Sequence, residues 1–259
     1  MSPEGSIPFD RAAEHYDRTR RFTAEASEAT VGVLRDELDG RQPCLEIGVG
    51  TGLIALPLHA SGIRMTGIDL SRPMLGKLIE KGGGRSPLPL VVGDATQLPL
   101  VDDAFGGAIA RHVLQLIPNW LGALAELVRV VRPGGVILIN AGTDQGPWRD
   151  VRDHLDAQVG EVPGRVDLDQ RSADVDASMT ERGWRNRELP IIWQESELTL
   201  AKYFEEVEAC VFSWTWILKP ERLATALAET KVWATEHFGD FDRILEPRFP
   251  SIWRAYERN

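Results

Sequence analysis

The stretch from Pro43 to Asp69, PCLEIGVGTGLIALPLHASGIRMTGID, constrains the fold more than any other part of the chain. Cys44-Leu45-Glu46-Ile47 is a short apolar run that reads as a buried strand. Glycine then takes every second position at Gly48, Gly50 and Gly52, and Leu53 to Ala60 carries apolar residues at helical spacing. Gly62 ends that helix, and Met65 to Ile68 forms a second strand that stops at Asp69. Strand, glycine turn, helix, strand and terminal acid is the βαβ nucleotide-binding unit, so the spacing predicts an open, doubly wound α/β sheet.

Glycine reaches backbone angles closed to other residues and has no Cβ, so a ligand can lie against the main chain of this turn. The following helix begins with N–H groups that have no partner inside it, which suits a carboxylate or a phosphate. Asp69, at the tip of the second strand, is placed to accept hydrogen bonds from two ribose hydroxyls. The dinucleotide fingerprint G-x-G-x-x-G/A fits Gly50 to Ala55 formally but leaves Gly48 and Glu46 unexplained. An acid two residues before the first glycine faces a pyrophosphate badly and suits a ligand with an ammonium and a sulfonium.

The string Glu46-Ile47-Gly48-Val49-Gly50-Thr51-Gly52 resembles motif I of the class I S-adenosylmethionine-dependent methyltransferases. Three further strings resemble the same family, in its small-molecule, type 11-like form, in the right order. Asp69-Leu70-Ser71-x-x-Met74-Leu75 is similar to the stretch in which the acid holds the ribose, the next residue covers one face of adenine and the methionine lies nearby. For Met74, core packing is the competing reading. Gly93-Asp94-Ala95-x-x-Leu98-Pro99 is similar to motif II, which implies that Asp94 receives the adenine amino group and the Ala95 N–H meets a ring nitrogen. Leu127 to Gly135, LVRVVRPGG, is similar to the post-helix motif. In the N-terminal pattern Ala12-x-x-x-Tyr16-Asp17-x-x-Arg20, the resemblance implies a lid whose tyrosine and arginine close over the methionine end of the cofactor; an ordinary capping helix fits it equally.

The resemblance implies a seven-stranded, mostly parallel sheet of the Rossmann-like methyltransferase type with a C-terminal helical insertion. Residues 1–40 are read as lid helices, 41–194 as the cofactor-binding core, 195–245 as the acceptor-side insertion and 246–259 as the last strand of the sheet. Within these, helices are expected at 9–19, 23–38, 120–131, 148–159, 169–181, 199–211 and 220–237, and a helix from Ser71 with Pro73 in its first turn. Further strands are expected at 90–93, 105–110, 136–139, 187–193 and 252–256.

The expected cofactor is S-adenosylmethionine, held by Tyr16, Arg20, Glu46, Gly48, Gly50, Thr51, Gly52, Asp69, Leu70, Met74, Asp94, Ala95 and Arg111. Methyl transfer from a sulfonium is an in-line displacement that depends on orientation and on a deprotonated acceptor. His112, beside Arg111 at the carboxyl end of the fourth strand, is the candidate general base; packing beside the cofactor is its other reading. His15 on the lid is a weaker candidate. No His, Cys, Asp or Glu grouping has metal-ligand spacing, so no metal is expected. The Asn-Pro-Pro-Tyr-like string of enzymes that methylate DNA or protein amino groups is replaced by Arg111-His112-Val113-Leu114, which favours a small-molecule acceptor.

The net charge of −10, with 39 acidic against 29 basic residues, argues against nucleic acid as a partner. No run of 18 apolar residues suggests a membrane span. Two cysteines far apart, Cys44 and Cys210, and no apolar N-terminal stretch suit a cytoplasmic protein. Six of the eight tryptophans lie between Trp148 and Trp233, where they either hold a flat acceptor or fill a core; Trp214 and Trp216 share a face if their segment is extended. A nicotinamide oxidoreductase and a non-catalytic binder of the same cofactor are the alternative functions. Oligomeric state and acceptor identity are not readable from the residues.

Overall fold

A computed structural model describes residues 9–14, 16–19, 23–140, 146–160 and 166–258. The chain opens with a 3-10 turn at Phe9–Ala12 and a single helical turn, α1 (Tyr16–Thr19), where one helix over 9–19 is expected. The helix α2 (Ala24–Leu38) follows, its first turn capped by the Thr23 hydroxyl. The βαβ unit is β1 (Cys44–Ile47), α3 (Ala55–Ala60) and β2 (Met65–Asp69). Next come α4 (Arg72–Lys81), capped by the Ser71 hydroxyl, then β3 (Leu90–Val92), β4 (Phe105–Arg111), α5 (Trp120–Val130) and β5 (Val131–Asn140).

Beyond β5 lie α6 (Gly146–Val159), α7 (Leu168–Glu181), β6 (Arg185–Glu188) and β7 (Ile192–Glu195). The chain ends with α8 (Leu200–Glu208), α9 (Pro220–Phe238), β8 (Arg248–Ser251) and β9 (Trp253–Glu257).

These elements divide into two compact units. One comprises the described residues of Met1–Gly142, Val166–Ile192 and Ser251–Asn259; the other those of Thr143–Arg165 and Trp193–Pro250. In the first unit, seven strands among the described residues form one sheet in the order β3-β2-β1-β4-β5-β9-β6. The ladders among β1 to β5 are parallel, and β9 runs antiparallel to both β5 and β6. Side chains of successive strand residues face opposite sides. Leu45, Ile47, Ala108, Ala110, Ile137 and Ile139 therefore pack in one cluster with residues of α5 and α7. Cys44, Ile109, Val136 and Leu138 join the other cluster, with residues of α2, α3 and α4. Covering both faces is why β1 and β4 read as continuous apolar runs. The second unit has its own core, in which Val151, Leu155, Phe204 and Leu227 bring α6, α8 and α9 together.

Three expectations need correction. The strand expected at 136–139 begins at Val131, because Val131 pairs with Phe105 and the register then shifts before Gly107 meets Val136. The Arg132-Pro133-Gly134-Gly135 string sits inside this irregularity rather than before the strand. The single strand expected at 187–193 is two: β6 in the sheet, and β7 in a ribbon with β8. Pro190 has no N–H to continue a ladder, and the Leu189 N–H makes the last bond to Trp253 O at 2.9 Å. Trp214 and Trp216 lie in a 3-10 turn, Ser213–Ile217, not in an extended segment.

Candidate functional site

The strand order reverses at β1, which lies between β2 and β4. Open α/β sheets bind ligands at the carboxyl edge of such a switch point. The glycine turn leaves β1 at that edge. Gly48 has φ +63°, and a Cβ there would stand 2.6 Å from Val113 Cγ2, so the turn after β1 packs directly on the residues that follow β4. Gly52, at φ +81°, would drive a Cβ to within 2.9 Å of Leu56 and Leu78. Only glycine satisfies both angle and space at these two positions.

Asp69 organises the turn from the next strand end. Its Oδ2 accepts the Gly50 N–H at 2.8 Å and its Oδ1 accepts the Ser71 N–H at 2.8 Å. A carboxylate has about four acceptor directions, so two remain for a ligand. Burial raises the Asp69 pKa, opposed by these N–H donors and reinforced by nearby Asp10. The Gly50 N–H within the turn is thus already used inside the protein.

Glu46 carries the most informative chemistry. Its side chain lies in the middle of the sheet edge, 3% exposed. Burial pushes its pKa up to about 8, against the pull of Arg111 and of the Ala55 N–H at the start of α3. Its Oε2 is buried and has no hydrogen-bond partner. A buried acceptor left unmade costs about 1–3 kcal/mol, so this atom fits a ligand that brings a donor or a cation. An ammonium-bearing cofactor meets that requirement.

Beyond β3, the Asp94 Oδ1 accepts the Thr96 N–H at 2.9 Å, which fixes a turn with Ala95 buried inside it. Asp69, the last residue of β2, pairs with Val92, the last of β3, and Asp94 stands two residues further on, so the two acids lie at the ends of neighbouring strands. Leu70 is half-buried between them in sequence. Met74 is buried, and its Cε lies 3.2 Å from where a Gly50 Cβ would stand. Arg111 closes β4, near enough to Glu46 to act on its titration.

The N-terminal segment touches this edge through residues whose roles were not foreseen. The Ser71 hydroxyl donates to Asp10 Oδ1 at 2.6 Å. The Thr51 hydroxyl donates to Asp17 Oδ1 at 2.6 Å, and Lys81 Nζ reaches Asp17 Oδ2 at 2.6 Å and Thr51 O at 2.9 Å. Asp10 lies in the 3-10 turn and Asp17 in α1, so no single helical periodicity links the two acids. Tyr16 lies edge-on to Phe9 at 6.2 Å. Arg20 and His15 lie outside the described residues.

His112 follows β4 with φ +49°, an angle a side chain other than glycine seldom adopts. It lines a narrow cleft with residues of β5, α7 and β9. Of the other histidines, His59 contacts Ile63 O at 3.3 Å, and His154 and His237 stack on Trp233 in the second unit at 4.3 and 4.9 Å. The tryptophans mostly fill cores: Trp184 is buried in the first unit, while Trp148, Trp214 and Trp233 pack on the core of the second. Among the described residues no group of three His, Cys, Asp or Glu is arranged to hold a metal, and no helix is long and apolar enough to cross a membrane.

Comparison with known proteins matches this geometry. The profile of the family described as "Methyltransferase domain" matches residues 45–139. The chain is 33% identical over 136 residues to demethylmenaquinone methyltransferase of Mycobacterium tuberculosis, covering 51% of this chain and 55% of that one. It is 35% identical over 132 residues to malonyl-[acyl-carrier protein] O-methyltransferase of Serratia marcescens, covering 51% and 50%. The chain thus spans about half the length of the curated relatives it matches. A solved S-adenosylmethionine-dependent methyltransferase of Thermotoga maritima shares the fold with a TM-score of 0.54 at 16% identity, over 97% of this chain and 98% of that one. Residues 45–139 thus match the methyltransferase-domain family, and the first unit has the sheet fold of solved methyltransferases.

Proposed function

We propose that this chain transfers a methyl group from S-adenosylmethionine to a small-molecule acceptor in the cytoplasm. The observation that carries the reading is the buried, partnerless Glu46 Oε2 at the base of a glycine turn whose neighbour strand ends in Asp69. A dinucleotide's pyrophosphate offers the Glu46 acceptor neither a hydrogen nor a cation, which makes a nicotinamide cofactor the poorer fit. Bound S-adenosylmethionine supplies an electrophilic methyl on a sulfonium. Glu46 and the Gly48–Gly52 turn would hold the amino-acid end, Asp69 the ribose, and Leu70, Met74, Asp94 and Ala95 the adenine. Thr51 keeps the turn in shape through Asp17, and Arg111 would line the cofactor end of the cleft, where it favours the ionised form of Glu46 against burial. Tyr16 and Arg20 would cover the methionine end.

His112, on the cleft side of the same sheet edge, would take the acceptor proton, a role worth about 10²–10⁴-fold in rate. The acceptor is read as small because Arg111-His112-Val113-Leu114 stands where amino-methylating enzymes carry an Asn-Pro-Pro-Tyr-like string, and the two relatives' names differ in acceptor, so the fold does not choose one. The two cysteines are free, in keeping with a reducing compartment.

One set of assays tests both roles. Asp69→Ala is expected to bind S-adenosylhomocysteine at least tenfold more weakly in calorimetry. It also loses about 1–3 kcal/mol of stability, because the Gly50 and Ser71 N–H groups lose their acceptor. His112→Asn is expected to keep that affinity and lose turnover with any acceptor found. Wild-type affinity in Asp69→Ala would remove the basis of the assignment.

A further inference from the structure

The cleft beside His112 has a feature that methyl transfer alone does not require. It lies among the ends of β4 and β5, the first turns of α7 and the start of β9, with a volume of about 30 Å³. That is room for one or two waters, and so for the charged tip of a ligand rather than its body. Two arginines line it, Arg171 and Arg254. Arg254 is neutralised: its Nη1 lies 2.8 Å from Asp176 Oδ2, and Asp176 also accepts the Tyr256 hydroxyl and an Asn186 amide hydrogen.

Arg171 is different. Among the described residues it has no carboxylate at ion-pair distance. Its guanidinium lies 4.6 Å from the centre of the Trp120 ring, and its Nη1 donates to Leu114 O at 2.7 Å. Those two contacts set the plane and use one end of the fork. The opposite edge, Nε and Nη2, is the pair that matches a carboxylate or phosphate bidentately. Nε is buried and, among the described residues, has no acceptor. Asp174 acts on it only through space and does not offset the burial that lowers the Arg171 pKa. Arg171 lines the cleft, is fixed in orientation and, among the described residues, has no carboxylate at ion-pair distance, so the anion that would complete it has to arrive from outside.

We infer that Arg171 reads an oxyanion, a carboxylate or a phosphate ester, on the acceptor and so turns the acceptor's nucleophile toward the sheet edge where His112 stands. The inference rests on the methyl-transfer reading for what the bound molecule is, and on the cleft alone for its charge.

The test is a saturation-transfer NMR titration with two probes, benzoate and inorganic phosphate, each with and without S-adenosylhomocysteine. The wild-type protein is expected to bind at least one probe, and which one separates a carboxylate from a phosphate. Arg171→Gln is expected to weaken that binding at least tenfold. Arg171→Lys keeps the charge but loses the fork, and is expected to weaken it at least threefold. Arg85→Gln, which removes an exposed charge elsewhere, is expected to match wild type. Circular dichroism checks folding; should Arg171→Gln unfold, Arg171→Lys decides. Neither probe binding the wild type, or equal binding by the Arg171 variants, overturns the inference. Failure of S-adenosylhomocysteine to bind while a probe still does so in an Arg171-dependent way overturns the methyl-transfer reading and leaves the oxyanion site standing.

Discussion

Glu46 shows how one buried side chain links cofactor choice to pH. Its carboxyl is held near 8 by burial, above the ordinary 4.5. Between those values the folded chain binds more protons than the unfolded one. The Glu46 contribution is therefore fully present below about pH 4.5 and is lost as pH rises through 8. Asp69 is shifted the same way by burial, and Arg111 is the cation facing Glu46. Glu46→Gln removes one titration, so the fall in stability from pH 5 to 8 is expected to be shallower in the variant, by a few kcal/mol at most. Urea denaturation at stepped pH measures it, and parallel slopes would rule the linkage out. A ligand cation that draws Glu46 into its ionised form should also release protons on binding at pH 7. Calorimetry in buffers of different ionisation enthalpy reads this directly.

At the scale of elements, the loop that carries Asp94 and Ala95 is held from α5. Arg129 donates to Leu100 O at 2.7 Å and Leu98 O at 3.1 Å, and is clamped by Glu126 at 2.7 Å on both Nε and Nη2. Glu126 in turn accepts the Leu98 N–H at 2.6 Å. The ion pair with Asp102 adds little, since Asp102 is 73% exposed. Arg129→Ala leaves two carbonyls without their donor and is expected to cost about 1–3 kcal/mol. It should also weaken S-adenosylhomocysteine several-fold, because the loop behind Asp94 loses its brace. Thermal unfolding and calorimetry on the same variant check the two effects; unchanged affinity would mean that the loop needs no brace. The Arg129-Val130-Val131-Arg132 string was legible as a family motif, but its work in bracing residues 98–102 was not, because the partners lie about 30 positions earlier in the chain.

For the whole molecule, the two units have separate cores, so a defect in one is a local defect first. Phe204 is 1% exposed, with Phe241 at 5.4 Å and Lys231 Nζ 5.6 Å above its ring. Phe204→Ala is expected to cost about 3–5 kcal/mol in the second unit. Tryptophan fluorescence during urea unfolding reports it, since Trp148, Trp214 and Trp233 surround that core. A midpoint equal to wild type would show that this core is not a unit of stability.

The local pattern by itself determined the βαβ unit, the cap at Ser71 and the strand-end position of Asp69. Each is encoded within a few residues by apolar period, glycine geometry or strand-end position. Tertiary structure alone decided the rest. It spent the Gly50 N–H on Asp69, left Glu46 Oε2 without a partner and brought Asp10 and Asp17 to the turn. It also set Arg171 over Trp120 with no carboxylate at ion-pair distance among the described residues. A hydrogen bond between residues 34 or 61 apart has no local signature, because it depends on where two chain segments meet and not on the sequence of either one.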